Sequence, residues 1–309
     1  MMVFLTGARA GKIIEFADRP FVVRGSIVEG LDVSGVAVDP DGRVLVAVDE
    51  GSALQLCKSL GGGAGMVTEA RLPLPVPGKG EGDFEAAAYM DGHFYVVGSH
   101  GVSKKKGKVQ DSRCRIFRLS FLQGAGEPQT RGVGLGGLLS ADPVLGSYFR
   151  KPLQQKGVNI EGLAAVGGRL YVGLRSPNLG GDAFVLEVCA EGLFGAKKTG
   201  YKLRQLPLGH GLGIREIAVV KGGFLILAGN AGSAPSLKFP LSPDFDEKRP
   251  YPLFFWSGEK VVPLGNLPES PGKAEGLLVT VDEMGWWEVV VFYDSVKNGG
   301  ARRFRVDKP

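Results

Sequence analysis

The chain is 309 residues long and carries 37 Lys and Arg against 32 Asp and Glu, a net charge of +5. Glycine supplies 49 residues and 44% of the chain is hydrophobic, a composition that excludes disorder and, without a G-X-Y period, a collagen-like chain. Its longest apolar runs, such as 44–48, fall far short of the roughly 18 residues that span a bilayer as a helix, so no membrane partner is expected.

Three cysteines, Cys57, Cys114 and Cys189, form an odd count without C-x-x-C spacing. That pattern argues against a disulfide framework and a zinc site and favours a reducing compartment. The N-terminus has no basic segment and its apolar run stops after five residues. It makes a poor secretory signal, and a cytoplasmic protein is expected. The basic clusters at 104–108, 197–198 and 302–305 sit beside glycines or at strand ends and match no nucleic-acid motif, so no nucleic-acid partner is expected.

In chain order, strand candidates at 3–6, 13–16 and 21–23 precede a repeated unit. The unit is a strand, a tight turn, a second strand and, after a gap, a third. It reads 34–38 turning at Asp41-Gly42 into 44–48, with 53–57 third and 68–72 fourth. Next come 85–89 turning at Asp91-Gly92 into 94–97, with 115–119 third. Then 161–165 turns at Gly167-Gly168 into 170–172, with 183–188 and 202–206 following. After that, 216–220 turns near Gly222-Gly223 into 224–227, with 253–256 and 261–264 following. The last unit pairs 275–279 with 287–292 and adds 303–306. Asp-Gly and Gly-Gly supply the positive φ that two-residue hairpin loops require. In the long second interval, Ser140-Ala141-Asp142-Pro143 signals the start of a short helix.

Antiparallel units repeated with variable spacers indicate an all-β fold, a β-propeller of five or six four-stranded blades in a single domain over residues 1–309. Strands from the two chain ends would share a blade and close the ring, which removes an open edge.

Four of the five units open with glutamate: Glu85, Glu161, Glu216 and Glu275. First strands line a propeller's channel, so these acids would gather at one mouth. Hairpin pairing sets Glu85 opposite Gly98, Glu161 opposite Leu174 and Ile160 opposite Arg175, which brings the ends of the second strands to the same rim. The expected catalytic residues are Glu161, Glu85 and His100. Arg175, Arg215, Lys105, Arg113 and Asn230 are the expected ligand-binding residues, because guanidinium and ammonium groups hold phosphoryl or carboxylate oxygens. Glu216, Glu275 and Asp49 are the expected metal ligands, since converging carboxylates recruit a hard cation, calcium first.

The phrases Asp83-Phe84-Glu85-Ala86-Ala87, Gly98-Ser99-His100, Asn159-Ile160-Glu161-Gly162-Leu163-Ala164, Leu170-Tyr171-Val172-Gly173-Leu174-Arg175-Ser176-Pro177 and Gly213-Ile214-Arg215-Glu216-Ile217-Ala218 resemble the bacterial family known as domain of unknown function 3616. The resemblance runs from about Asp32 to the C-terminus. It implies a β-propeller and no established activity. Esterase-like phytases and gluconolactonases offer looser analogies, of calcium-assisted phosphoester hydrolysis and of a blade-opening glutamate holding one divalent metal. The resulting expectation is a divalent-metal-assisted hydrolase of a phosphoester or lactone. The alternatives are a non-catalytic propeller that binds a protein or small anionic ligand at the channel mouth, and a purely structural ring of carboxylates.

Overall fold

The computed structural model describes residues 13–16, 18–78, 80–103, 106–121, 127–195, 199–268 and 270–309. The strand expected at 3–6 and the lysines Lys104, Lys105, Lys197 and Lys198 lie outside them. Twenty-one strands form five sheets among the described residues, antiparallel throughout except for one outer strand. In the first, β2 (Val22–Arg24), β3 (Val33–Val38), β4 (Arg43–Val48), β5 (Ala53–Ser59) and β6 (Gly65–Pro73) take the order β2-β6-β5-β4-β3, with β2 parallel to β6. The second runs from β7 (Phe84–Met90) through β8 (His93–Gly98) and β9 (Ile116–Ser120) to β10 (Gln129–Val133). The third comprises β11 (Asn159–Val166), β12 (Arg169–Leu179), β13 (Asp182–Cys189) and β14 (Tyr201–Pro207). The fourth comprises β15 (Leu212–Val220), β16 (Gly223–Asn230), β17 (Pro252–Trp256) and β18 (Val261–Asn266). The fifth is β19 (Lys273–Glu283), β20 (Trp286–Asp294) and β21 (Arg302–Asp307), with β1 (Ile13–Glu15) as its outer strand.

The first strands β3, β7, β11, β15 and β19 contact one another in sequence and β19 returns to β3, so five blades close a ring around a channel. Strand β1 pairs with β21 and joins the two ends of the chain. The residues around 22 add a parallel fifth strand to blade one instead of building a sixth blade. Each seam between blades holds its own apolar cluster, so the ring has five small cores and no single centre. At one seam Tyr171, Phe224 and Trp256 pack together, with Phe224 and Trp256 stacked at 4.9 Å. At the next, Phe255 stacks on Trp287 at 5.6 Å. Aromatic pairs of this kind contribute about 0.5–1.5 kcal/mol beyond their burial.

The turns follow their chemistry, with two exceptions. Asp91 and Gly92 both have positive φ, as do Gly167 and Gly168, the signature of two-residue hairpins. The hairpin near Asp41 is longer, because Val38 pairs with Val44 and Asp39 accepts the Arg43 N–H at 2.7 Å. The helix expected to start near Ser140 ends there: α1 spans Gly136–Ala141. Asp142 then accepts N–H groups from Val144 and Leu145, opening the next turn. No helix among the described residues is long and apolar enough to cross a membrane.

Candidate functional site at one mouth of the channel

All five first strands carry a β-bulge at the same end. Pairing skips one residue in each: Ser34 between Val33 and Gly35, Glu85 between Phe84 and Ala86, Glu161 between Ile160 and Gly162, Arg215 between Ile214 and Glu216, and Glu275 between Ala274 and Gly276. A bulge inserts an unpaired residue and re-aims its side chain. Four of the five, Glu85, Glu161, Arg215 and Glu275, line one cavity of about 280 Å³ at this mouth. The residue after the bulge is small in four blades because the neighbouring first strand lies against it. A Cβ on Gly35 would meet the Ala86 backbone at 2.6 Å, and one on Gly162 would meet Ile214 and Ile217 side chains at 3.0 Å.

These bulges correct the register read from the hairpins. Gly98 pairs with Phe84, and Leu174 with Ile160. In the fourth blade the correction changes the residue itself: Arg215 occupies the ring position and Glu216 lies beside it. The Glu216 carboxylate turns into the seam, where Oε1 accepts N–H groups from Leu163 at 3.0 Å and Ile217 at 2.9 Å. Burial raises the Glu216 pKa well above its usual range against those two hydrogen bonds.

Arg215 bridges its neighbours in the ring. Its Nη1 lies 2.6 Å from Glu161 Oε2, and its Nη2 donates to Glu275 Oε1. Burial opposes the Arg215 charge, but Glu161 and Glu275 outweigh it and raise its pKa. Arg175, on β12, donates to Glu161 Oε1 at 2.8 Å, to the Asn230 carbonyl at 2.9 Å and to the Gly232 carbonyl at 2.8 Å. Lys273 pairs with Asp294. Ser34 Oγ donates to Glu275 Oε2 at 3.4 Å. Burial, with Arg215 lowering and Glu161 raising, leaves the Glu275 carboxyl at about 7.

Glu85 differs from the rest of the ring. It is 8% exposed, and no hydrogen bond or ion pair joins its carboxyl to another described residue. Burial first, then the charges of Glu161, Asp83, Asp49 and Glu275, raise its pKa well above the carboxylate range. It faces both the main cavity and a side chamber of about 20 Å³ that also touches Glu161, Arg175, Asn159 and Arg113.

Of the residues nominated from sequence, the structure brings Glu85, Glu161, Arg175, Arg215, Asn230, Glu275 and Asp49 to the main cavity. Arg113 stands at the side chamber, paired with Glu81 at 2.9 Å and Asp83 at 3.0 Å. Lys105 lies outside the described residues. His100 lines neither cavity and is 1% exposed. Its Nδ1 lies 2.8 Å from the Gly98 carbonyl and its Nε2 accepts the Leu135 N–H at 3.2 Å. Burial lowers its pKa to about 4 despite the Gly98 bond, so it is a neutral imidazole joining two backbone segments. The structure thus places His100, expected as a catalytic residue, between two backbone segments and off the lining of both cavities. Lys273, Tyr251 and Phe245 also line the cavity and were not singled out, since the loops that carry the last two have no repeat to align.

The expected divalent cation meets a similar obstacle. Glu216 is turned into the seam, Glu275 is engaged by Arg215, and a guanidinium occupies the centre that Glu161 and Glu275 share. Among the described residues no group of three or more His, Cys, Asp or Glu side chains is arranged to hold a metal ion.

The sequence matches the family described as "Protein of unknown function (DUF3616)" over residues 32–130 and 123–305. No curated protein matches it. Solved structures similar to the chain include virginiamycin B lyase from Staphylococcus aureus, at 9% identity and TM-score 0.40, covering 96% of this chain and 98% of that one. Another is an exo-β-1,3-galactanase from Phanerochaete chrysosporium with galactose, at 9% identity and TM-score 0.48, covering 95% of this chain and 64% of that one. A third is a putative oxidoreductase (glucose dehydrogenase) from Thermus thermophilus, at 15% identity and TM-score 0.40, covering 96% and 99%. Likeness this distant carries no argument about chemistry.

Proposed function

We propose that this chain, which belongs to the DUF3616 family of proteins of unknown function, binds a small, uncharged, hydroxyl-rich molecule at the bulged mouth of its channel. The observation that carries the reading is Glu85, a buried carboxyl on the cavity wall with no partner among the described residues. Buried polar groups are almost always hydrogen-bonded, and a protonated carboxyl both donates and accepts. A ligand hydroxyl would satisfy it.

Charge balance selects the ligand class. Arg175, Arg215 and Lys273 already face Glu161, Glu275 and Asp294, so an anion would compete with carboxylates for each cation. The anionic ligand expected from the sequence drew on Arg175 and Arg215, which are both engaged by carboxylates here. A neutral molecule with several hydroxyls meets donors and acceptors alike, and Tyr251 and Phe245 line the same cavity. The volume of about 280 Å³ lies at the small end of ligand pockets, the size of a single sugar ring.

Hydrolysis is a second reading, favoured by one observation: a carboxyl held protonated at Glu85 and a Glu161 carboxylate gripped by two arginines line the same cavity. A carboxyl kept protonated beside an ion-paired carboxylate is an arrangement that can divide acid and base roles. A neutral lactone fits this cavity better than a phosphoester, and no cation is invoked.

Calorimetric titration of the full chain with glucose, galactose, myo-inositol and gluconolactone tests both readings. Saturable binding of at least one probe, weakened about tenfold in Glu85→Leu, is expected. No heat with any probe would overturn the reading. A pH-stat assay with gluconolactone separates binding from turnover.

A further inference from the structure

A cleft of about 520 Å³ lies apart from the channel mouth. It lies outside blade two, lined by Asp111, Cys114, Arg115, Gly134, Phe149 and Arg150 together with Gly136, Gly137 and Ser140. Arg115 immediately precedes β9, and its carbonyl accepts the Gly98 N–H at 2.8 Å, so it is fixed at the end of the blade that carries the bulges.

Arg115 stands apart from the other arginines. Among the described residues, every other half-buried arginine has an ion pair or hydrogen bond through its side chain, whereas Arg115 has neither. Arg150 also lacks an ion pair, and its guanidinium lies 5.4 Å from the Phe149 ring centroid. The facing charges in this cleft are two guanidinium groups against the single carboxylate of Asp111. The Cys114 thiol stays neutral, because burial and Asp111 raise its pKa against Arg150 and Arg115.

The cleft is held open by its backbone. Leu135 is fully buried, and its N–H is fixed on His100 Nε2. Gly134, Gly136 and Gly137 on either side add no side chain to fill the space, and a Cβ on Gly136 would come within 3.3 Å of Phe149. The buried imidazole thus anchors the backbone segment that carries these glycines.

We propose that this cleft is a binding site for an oxyanion, the phosphate or carboxylate group of a small molecule, held between the guanidinium groups of Arg115 and Arg150. A guanidinium fork matches two oxygens of such a group, and charge-assisted bonds of this kind are the strong ones. The partly desolvated Arg115 gains a counter-ion that the fold does not supply. This site is separate from the channel mouth and shares no lining residue with it.

Titration of the full chain at low salt with inorganic phosphate and, separately, with citrate tests the assignment. Saturable binding of at least one probe is expected, and the better probe identifies the class of oxyanion. The Kd should rise about ten- to hundredfold in Arg115→Gln and in Arg150→Gln and stay unchanged in Arg71→Gln, which removes an exposed arginine elsewhere. Melting temperatures of all three variants should stay within about 2 °C of the parent, because none of them breaks an ion pair or a hydrogen bond and Arg150 gives up only its contact with the Phe149 ring. Absence of saturable binding with both probes would overturn the proposal. So would a Kd for Arg115→Gln equal to that of the parent.

Discussion

The two mouths of the channel are made by opposite ends of the same five strands, yet they share almost no chemistry. At the far mouth four of the five strands pair regularly, through Val38, Tyr89, Ala165 and Val219, while β19 has a second irregularity between Val279 and Val281, and the side chains of the wall are apolar. At the near mouth each strand breaks its ladder to insert one residue, and those residues are Ser34, Glu85, Glu161, Arg215 and Glu275. A regular strand alternates its faces, so it presents the same kind of side chain to the channel all along. A bulge breaks that alternation once and lets a buried charge face the axis. The difference is the reason the proposed site is set at the end where the fold holds desolvated charges together, because such an arrangement is costly unless something is gained from it.

Arg215→Met gives the sharpest break in this contrast. It leaves Glu275 and one oxygen of Glu161 buried without their counter-ion, and breaking a buried pair in this way costs about 3–5 kcal/mol. Urea unfolding should show a much lower midpoint, whereas Val219→Thr at the far mouth should change stability by no more than about 0.5 kcal/mol. Similar losses at both mouths would refute the contrast.

His100→Ala sharpens the boundary of the near mouth. It removes the acceptor for the Leu135 N–H and should cost about 1–3 kcal/mol, while sugar or lactone binding at the channel stays within twofold of the parent. A variant that keeps its stability and loses binding would return His100 to the site.

The next effect is on pH dependence. Glu85 and Glu275 both have pKa values raised in the folded state, Glu275 to about 7. The folded chain therefore holds protons that the unfolded chain releases above its ordinary carboxylate pKa. Their contribution is fully present at acid pH below that value and is lost as pH rises through 7, by at most about 1.4 kcal/mol per pH unit for each proton. Stability measured from pH 5 to pH 8 should fall, and Glu85→Gln, which copies the protonated form, should fall less steeply. A stability that rises over this range in the parent would contradict the buried environment assigned to both groups.

The smallest expected effect comes from cations. A ligand at a hundredfold excess over its Kd adds about 2.7 kcal/mol, so a resident metal would be visible in a melt. Calcium, magnesium, manganese and zinc should each leave the melting temperature of chelator-treated protein unchanged. A shift lost in Glu161→Gln would restore the metal-assisted reading.

The sequence by itself determined the ring. Asp-Gly and Gly-Gly turns between apolar runs specify local hairpins through backbone geometry alone, and their repetition specifies blades. Closure by the chain ends was also legible, since a propeller must satisfy its last edge. The gathering of Glu85, Glu161, Glu275, Asp49, Arg175 and Asn230 at one mouth could be read from hairpin pairing. Outer strand β10 was not legible, and although a strand was expected at 21–23, its parallel pairing with β6 was not, because neither β10 nor β2 is tied to its partner by a tight turn.

Only the tertiary structure decided which side chains face the axis. A slip of one residue reverses every side chain on a strand, and hairpin arithmetic cannot detect a bulge. The fourth blade shows this most clearly: Glu216 completes the run of glutamates in the sequence, but the bulge brings Arg215 to the axis and sends Glu216 to the Leu163 and Ile217 N–H groups. That exchange converts an expected carboxylate cage for a metal into an ion-paired ring. Arg215 neutralises two of its three glutamates and leaves Glu85 unpartnered, because ion pairing depends on distances between blades that are far apart in sequence.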